Sequence, residues 1–78
     1  MARKIIIFTQ PDSLPCEAVK MFLKSRKAKF EERCVTDDDG AVRELAEKYN
    51  SRSTPTVVID EEVVVGFDPE RLDQLLGP

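Results

Sequence analysis

Lys4-Ile5-Ile6-Ile7-Phe8-Thr9, then Gln10-Pro11-Asp12-Ser13, then Leu14-Pro15-Cys16-Glu17-Ala18-Val19-Lys20-Met21-Phe22-Leu23 is the stretch on which the fold turns. Residues 4–9 are a short, nearly unbroken apolar run, the pattern of a strand buried on both faces, as a central parallel strand is. Gln10 to Ser13 break the run and read as a turn. From about 14 to 27 the period becomes helical: Val19, Phe22 and Leu23 share a face, with Cys16 one turn earlier. Ser13 suits the N-cap, Pro15 falls in the first turn where its missing N–H costs nothing, and Glu17 lies near the positive end of the helix.

Outward from this unit, residues 29–35 alternate loosely and predict a second strand at a sheet edge. Thr36 and the acidic run Asp37–Asp39 cap a second helix, whose buried face is expected to be Val42, Leu45, Ala46 and Tyr49, in a purely structural role. Asn50 to Thr54 form a loop ending at Pro55, and 56–60 predict a third strand. Glu61 and Glu62 make a tight turn into Val63-Val64-Val65, which implies an antiparallel hairpin. Asp68-Pro69 opens a last helix with Leu72, Leu75 and Leu76 inward. The order is βαβαββα. Strands flanking a helix run parallel with a right-handed crossover, so the expected α/β architecture is a mixed four-stranded sheet with three helices on its two faces.

The chain has 78 residues, enough for a single domain over 1–78, with any active site in a shallow groove or at an element terminus. Net charge is −3, with 35% charged and 41% hydrophobic residues, and there is no basic stripe interleaved with aromatics; nucleic acid is therefore not an expected partner. The basic cluster Lys20, Lys24, Arg26, Lys27 and Lys29 reads as a solvated helix face. The N-terminal apolar run is too short for a signal peptide or a membrane helix, so no membrane association and a cytoplasmic location are expected. Two cysteines fit a reducing compartment, where thiols serve chemistry more often than structural bridges. With no histidine, Ser-His-Asp and Cys-His mechanisms are excluded, and two cysteines do not complete a zinc or iron–sulfur site within one chain. No metal is expected.

The turn after the first strand, the helix start at Ser13, the Thr54-Pro55 step and Gly66-Phe67-Asp68 would all meet at one edge of such a sheet. In this the chain resembles the glutaredoxin-like redoxins of the thioredoxin superfamily, over about residues 4 to 76. That family carries a phrase such as Thr-x-x-Pro-x-Cys-x-x-Cys, or a close relative of it, after the first strand. Here the phrase is Thr9-Gln10-Pro11-Asp12-Ser13-Leu14-Pro15-Cys16. The family's Thr-Pro before the third strand is matched by Thr54-Pro55, and its glycine before the last helix by Gly66. The resemblance implies the thioredoxin fold and thiol–disulfide exchange: a first cysteine, activated at a helix N-terminus, attacks a disulfide, and a second, three residues on, resolves the mixed disulfide.

Ser13 stands in the attacking position and Cys16 in the resolving one. A serine hydroxyl is hardly ionised at neutral pH and forms no disulfide, so an intramolecular dithiol cycle is not available to this sequence. Three accounts stay open. Serine replaces a cysteine, or the selenocysteine of the similar glutaredoxin-like selenoproteins; or Cys16 works alone as a monothiol; or the domain is a redox-silent module that recognises an extended peptide beside Thr54-Pro55. Cys34 is read as structural or incidental, and a Cys16–Cys34 bond is not expected. The resemblance further implies a cis peptide before Pro55, leaving the Thr54 backbone to pair with an extended partner. Gly66, Phe67 and Asp68 are carried over as substrate-binding positions, with Arg52 a candidate for a carboxylate. Phe67 makes the glutathione signature partial, because glutathione-using relatives place glycine or cysteine there, whereas glutathione-independent redoxins similarly have Gly-Phe. Implied partners are a disulfide-containing protein or glutathione as co-substrate, with a thioredoxin-reductase-type electron donor, no tightly bound cofactor, and a monomeric state.

Overall fold

A computed structural model describes residues 4–77; residues 1–3 and 78 of the expected 1–78 domain lie outside the described residues. The apolar run forms strand β1 (Ile5–Thr9), every residue of which is buried. β1 lies inside a four-stranded sheet of order β2-β1-β3-β4, formed with β2 (Glu31–Cys34), β3 (Thr56–Ile59) and β4 (Glu62–Val65). β2 runs parallel to β1, with Thr9 opposite Cys34, and β3 runs antiparallel to it, with Phe8 opposite Thr56. β4 returns antiparallel to β3, with Thr56 opposite Val65. This register brings the ends of β1, β2 and β4 and the start of β3 to one edge of the sheet.

Alternation along β1 divides the core in two. Ile5 and Ile7, with Val57, Ile59 and Val64, pack on one face against Val19 and Leu23 of α1 (Leu14–Ser25) and Leu72 of α3 (Pro69–Leu76). Ile6, Phe8 and Val58 pack on the other against Ala41 and Leu45 of α2 (Asp39–Lys48). The sheet, its order and its three helices are thus those of the thioredoxin fold.

Several predicted boundaries shift for identifiable reasons. α1 stops at Ser25, two residues early, because the chain closes a Schellman-type end: the Ala28 N–H bonds the Leu23 carbonyl at 3.0 Å and the Lys27 N–H the Lys24 carbonyl at 3.0 Å, with Lys27 left-handed at φ 56°. β2 is shorter than the predicted 29–35. Its first two residues, Glu31 and Glu32, are exposed, as suits an edge strand. Of the acidic run, Asp38 is the cap of α2, its Oδ1 accepting from the Gly40 and Ala41 N–H groups, while Thr36 pairs with the Cys34 sulfur instead. The hairpin turn is Asp60-Glu61 rather than Glu61-Glu62: Glu62 pairs with Ile59 inside β4, and Asp60 takes the positive φ of 56°.

The predicted buried face of α2 is corrected at its first member. Ala41, not Val42, is buried against the sheet with Leu45, and Val42 is 46% exposed. The pair Ala41–Leu45 is spaced one full turn and Tyr49 continues it, stacking its ring 5.7 Å from that of Phe8. Packing of Ala41 and Leu45 against Ile6, Phe8 and Val58 fixes this rotation, which leaves Val42 turned away from the sheet.

Candidate functional site at the helix N-terminus

Ser13 sits where β1 hands over to α1. It has extended backbone angles and caps the helix: its Oγ accepts the Cys16 N–H at 3.4 Å, and its carbonyl accepts the Glu17 N–H at 3.0 Å. Pro15, in the first turn, brings no N–H, so the Cys16 N–H is the donor aimed at the position 13 side chain. An anionic atom at that point would receive this hydrogen bond together with the positive end of the helix dipole. Asp12, just before the cap, adopts a left-handed φ of 58°, a region that aspartate tolerates better than most residues.

Cys16 lies one turn in, 1% exposed. The spacing places it on the inner side of α1 with Val19 and Leu23, so its sulfur is shielded while the position 13 side chain is half-buried at the rim. Cys16 and Cys34 are both free thiols. The Cys34 sulfur lies 3.1 Å from the Thr36 hydroxyl, on the edge strand.

Thr54 and Pro55 enter the same edge from the other side. Their peptide bond is cis, and Pro55 is buried with its carbonyl accepting the Gly66 N–H at 2.7 Å, which ties the start of β3 to the end of β4. A knot of hydroxyls fixes the preceding loop. Thr56 Oγ1 donates to the Ser53 carbonyl at 2.6 Å, so its 2.9 Å contact with Ser51 Oγ is donated by Ser51, whose oxygen in turn accepts the Ser53 N–H at 3.4 Å. Among the described residues, neither the N–H nor the carbonyl of Thr54 has a protein partner.

Gly66 has φ 81° and open space where a Cβ would stand, so glycine is required by backbone conformation and not by crowding. Phe67 is 40% exposed and meets Phe22 of α1 edge to face at 6.1 Å. Asp68 caps α3, its Oδ1 accepting the Arg71 N–H at 3.1 Å. Leu14, beside Ser13, is 84% exposed.

A groove of about 410 Å³ runs along the α2 side of this edge, lined by Gln10, Val35, Val42, Leu45, Ala46, Ser51, Arg52 and Thr54. It joins Arg52 and Thr54, both singled out from the sequence, to a set the sequence reading missed. Val42 was assigned to the core; the signal was the phase of Ala41 and Leu45, which leaves Val42 on the rim.

A polar chain also lies beneath the site. Thr9 Oγ1, buried at the end of β1, donates to Glu32 Oε2 at 2.8 Å, and Lys20 Nζ reaches the same oxygen at 3.3 Å and Glu17 Oε1 at 2.9 Å. The Thr9 hydroxyl, with the Lys20 ammonium behind it, holds the Glu32 carboxyl below its usual range. Hydrogen bonding to Glu17 first, then to Glu32, holds Lys20 above its own. Among the described residues, no three His, Cys, Asp or Glu side chains converge as a metal site, and no helix is long and apolar enough to cross a membrane.

Comparison with known proteins places this geometry in context. The glutaredoxin family model matches residues 5–64. The chain is 53% identical to the thioredoxin-like protein BC3987, whose crystal structure superposes with a TM-score of 0.90 over 92% of this chain and 99% of that one. The glutaredoxin-like protein NrdH-redoxin from Escherichia coli, described as having a thioredoxin-like activity profile, is 28% identical with a TM-score of 0.84, covering 96% of each chain. The Gene 56 protein of Mycobacterium phage L5 is 32% identical over 73 residues, spanning 92% of this chain and 71% of the relative.

Proposed function

The chain belongs to the glutaredoxin family, whose function is of the thiol–disulfide oxidoreductase type, and on that premise we propose that its reactive seat is position 13, with Cys16 the resolving thiol and protein disulfides the substrates. The observation that carries this is the cap itself: a half-buried side chain at the start of α1, receiving the Cys16 N–H, above a sulfur that is 1% exposed. With sulfur at position 13, its thiolate attacks a partner disulfide, forming one S–S bond and releasing one partner thiolate. The Cys16 thiolate then attacks that new bond, closing an intramolecular disulfide and releasing the second partner thiol, so two electrons pass to the partner. Ser13 stops the sequence at its first step. The chain as written is an arrested form that holds a partner beside Thr54-Pro55, and turnover requires cysteine or selenocysteine at position 13.

Protein disulfides are favoured over glutathione because Phe67 takes the place beside Gly66 where glutathione-using relatives keep a small residue, and because the Asp68 carboxylate is engaged by the Arg71 N–H. A thioredoxin-reductase-type donor, a monomeric state and a reducing cytoplasm complete the proposal; two free cysteines suit a reducing compartment.

The test is turnover of a protein disulfide by the written chain and by Ser13→Cys. The expected result is activity only in the variant. Equal activity in both would make Cys16 a lone nucleophile and overturn the assignment of position 13. A folded Ser13→Cys with no activity would favour the second reading, a redox-silent module binding an extended peptide at Thr54.

A further inference from the structure

We infer that the open edge of β4 takes up an extended segment of a partner protein, apolar at alternate positions and flanked by lysine or arginine. This surface lies outside the groove at Thr54 and does not depend on the chemistry of position 13. β4 ends the sheet, with β3 as its one neighbour. The Gly66 N–H bonds the Pro55 carbonyl, and Glu62 pairs with Ile59 across the hairpin turn, so Glu62 and Val64 aim their N–H and carbonyl groups at β3. Val63 and Val65 therefore aim theirs outward. Val64 packs with the α1 and α3 cluster, so the side chains of Val63 and Val65 alternate onto the opposite face, that of α2. α2 packs on Ile6, Phe8 and Val58 of that face and leaves Val63 37% and Val65 54% exposed. Val63 also walls a cavity of about 470 Å³ that Ile6 and Val58 help to line, so the apolar surface continues inward from the edge.

The opposite edge of the same sheet is guarded where this one is not. β2 carries Glu31, Glu32 and Arg33, and Lys20 of α1 and Glu44 of α2 reach across to pair with the last two. Charged side chains of this kind deter strand addition, whereas valine at both outward-bonding positions of β4 permits it. Charge then selects the occupant. Asp60 and Glu61 precede the strand, Glu62 begins it, and Asp68 and Glu70 follow it. Arg71 pairs with Glu62, and Lys4 lies beside Asp60, which leaves an acidic excess. A second copy pairing antiparallel about Val64 would set Glu61 and Glu62 of each chain beside Gly66 to Asp68 of the other, carboxylate against carboxylate. A segment with lysine or arginine at its ends meets the same carboxylates with opposite charge, so the occupant is a different chain, in keeping with a monomeric domain.

The experiment titrates the ¹⁵N-labelled chain, as written, with three peptides: Lys-Thr-Val-Thr-Val-Thr-Lys, the same peptide with glutamate at both ends, and the lysine peptide with both valines replaced by proline. In the free chain, the Val63 and Val65 amides should exchange with deuterium about 10-fold or more faster than those of Glu62 and Val64. The lysine peptide should slow that exchange, with shifts centred on Val63 and Val65. At low salt it should bind about 5-fold or more tightly than the glutamate peptide, and the proline peptide should not bind. Val65→Lys places a guard on an exposed edge position, so it should remove binding while the variant unfolds at nearly the same temperature as the parent chain. Equal exchange of all four amides, no binding of the lysine peptide, equal affinities for the two charged peptides, or shifts centred on Val42 and Thr54 would overturn the inference. So would a concentration-dependent dimer of the chain alone that Val65→Lys disperses, because the occupant would then be a second copy.

Discussion

Substituting cysteine for Ser13 makes a quantitative demand on the cap. A sulfur there is offered the Cys16 N–H, which now reaches Ser13 Oγ at 3.4 Å, and the axial field of a 12-residue helix. The Glu17 N–H is already bonded to the Ser13 carbonyl, and Pro15 has none to give. A helix terminus stabilises a partly buried charge by up to ~2 kcal/mol, and a charge-assisted hydrogen bond contributes ~1.5–3 kcal/mol. The two overlap, because the N–H is part of the dipole, and the contact is long. A working value is therefore about 1.5 kcal/mol in favour of the thiolate, or roughly tenfold in its ionisation constant. An ordinary thiol is about 3% ionised at pH 7, and a tenfold gain in the ionisation constant raises this to roughly 24%. Lower basicity reduces nucleophilicity by about threefold, so alkylation at pH 7 should run about three times faster than in an unstructured cysteine peptide. The cleaner readout is the pH midpoint of iodoacetamide alkylation, measured with Ser13→Cys in a Cys16→Ala, Cys34→Ser background. It should lie about one pH unit below that of the peptide. A midpoint equal to or above the peptide's would refute the argument that the cap is built for an anion.

Other expectations follow from single contacts. Thr9→Val removes the hydroxyl that holds Glu32 below its usual carboxylate range, so the Glu32 titration followed by NMR should move up toward that range. Because the folded value is depressed, Glu32 contributes stability above the ordinary carboxylate range that is lost as pH falls through the folded value; this acid-side loss should shrink in Thr9→Val, and an unmoved titration would contradict it. Leu72 is the α3 residue buried completely, and Leu72→Ala should cost about 3 kcal/mol, near 18 °C in Tm for a domain this size, read by thermal unfolding. Asp68→Ala leaves the Arg71 N–H uncapped and should cost about 1 kcal/mol in urea titrations, with Asp68→Asn close to neutral. Lys27→Gly relieves a left-handed φ of 56° and should stabilise by about 0.5–1 kcal/mol; a loss of stability would show that the lysine side chain contributes more than its backbone costs.

Much of the architecture is local and was therefore legible. An apolar run of five buried residues, a serine before a helical period and Asp68-Pro69 before another are signals whose physics acts within a few residues, and β1 and the caps of α1 and α3 stand where those signals put them. The misjudged features involve choices among equivalent local options. Either Ala41 or Val42 could begin the apolar stripe of α2, and packing against Phe8 and Val58 on the sheet selects Ala41. Glu61-Glu62 and Asp60-Glu61 are both plausible turns; the pairing of Ile59 with Glu62 and the hydrogen bonds between Asp60 and Lys4 select the second.

The site divides in the same way. The sequence by itself determined that a serine caps α1 where the family's chemistry needs a sulfur, that Cys16 follows at the spacing of one helical turn, and that Thr54-Pro55 and Gly66-Phe67-Asp68 precede the later elements, because residue identity and spacing along the chain carry that information. Only the tertiary structure decided that Cys16 is sealed beneath the cap, that Gly66 is bonded to Pro55, that Thr9, Glu32 and Lys20 share one polar chain, and that Val42 turns outward to make a groove with Arg52 and Thr54. Those relations depend on sheet order and helix rotation, which are set by how distant segments bury their apolar faces together, and no short stretch of sequence encodes them.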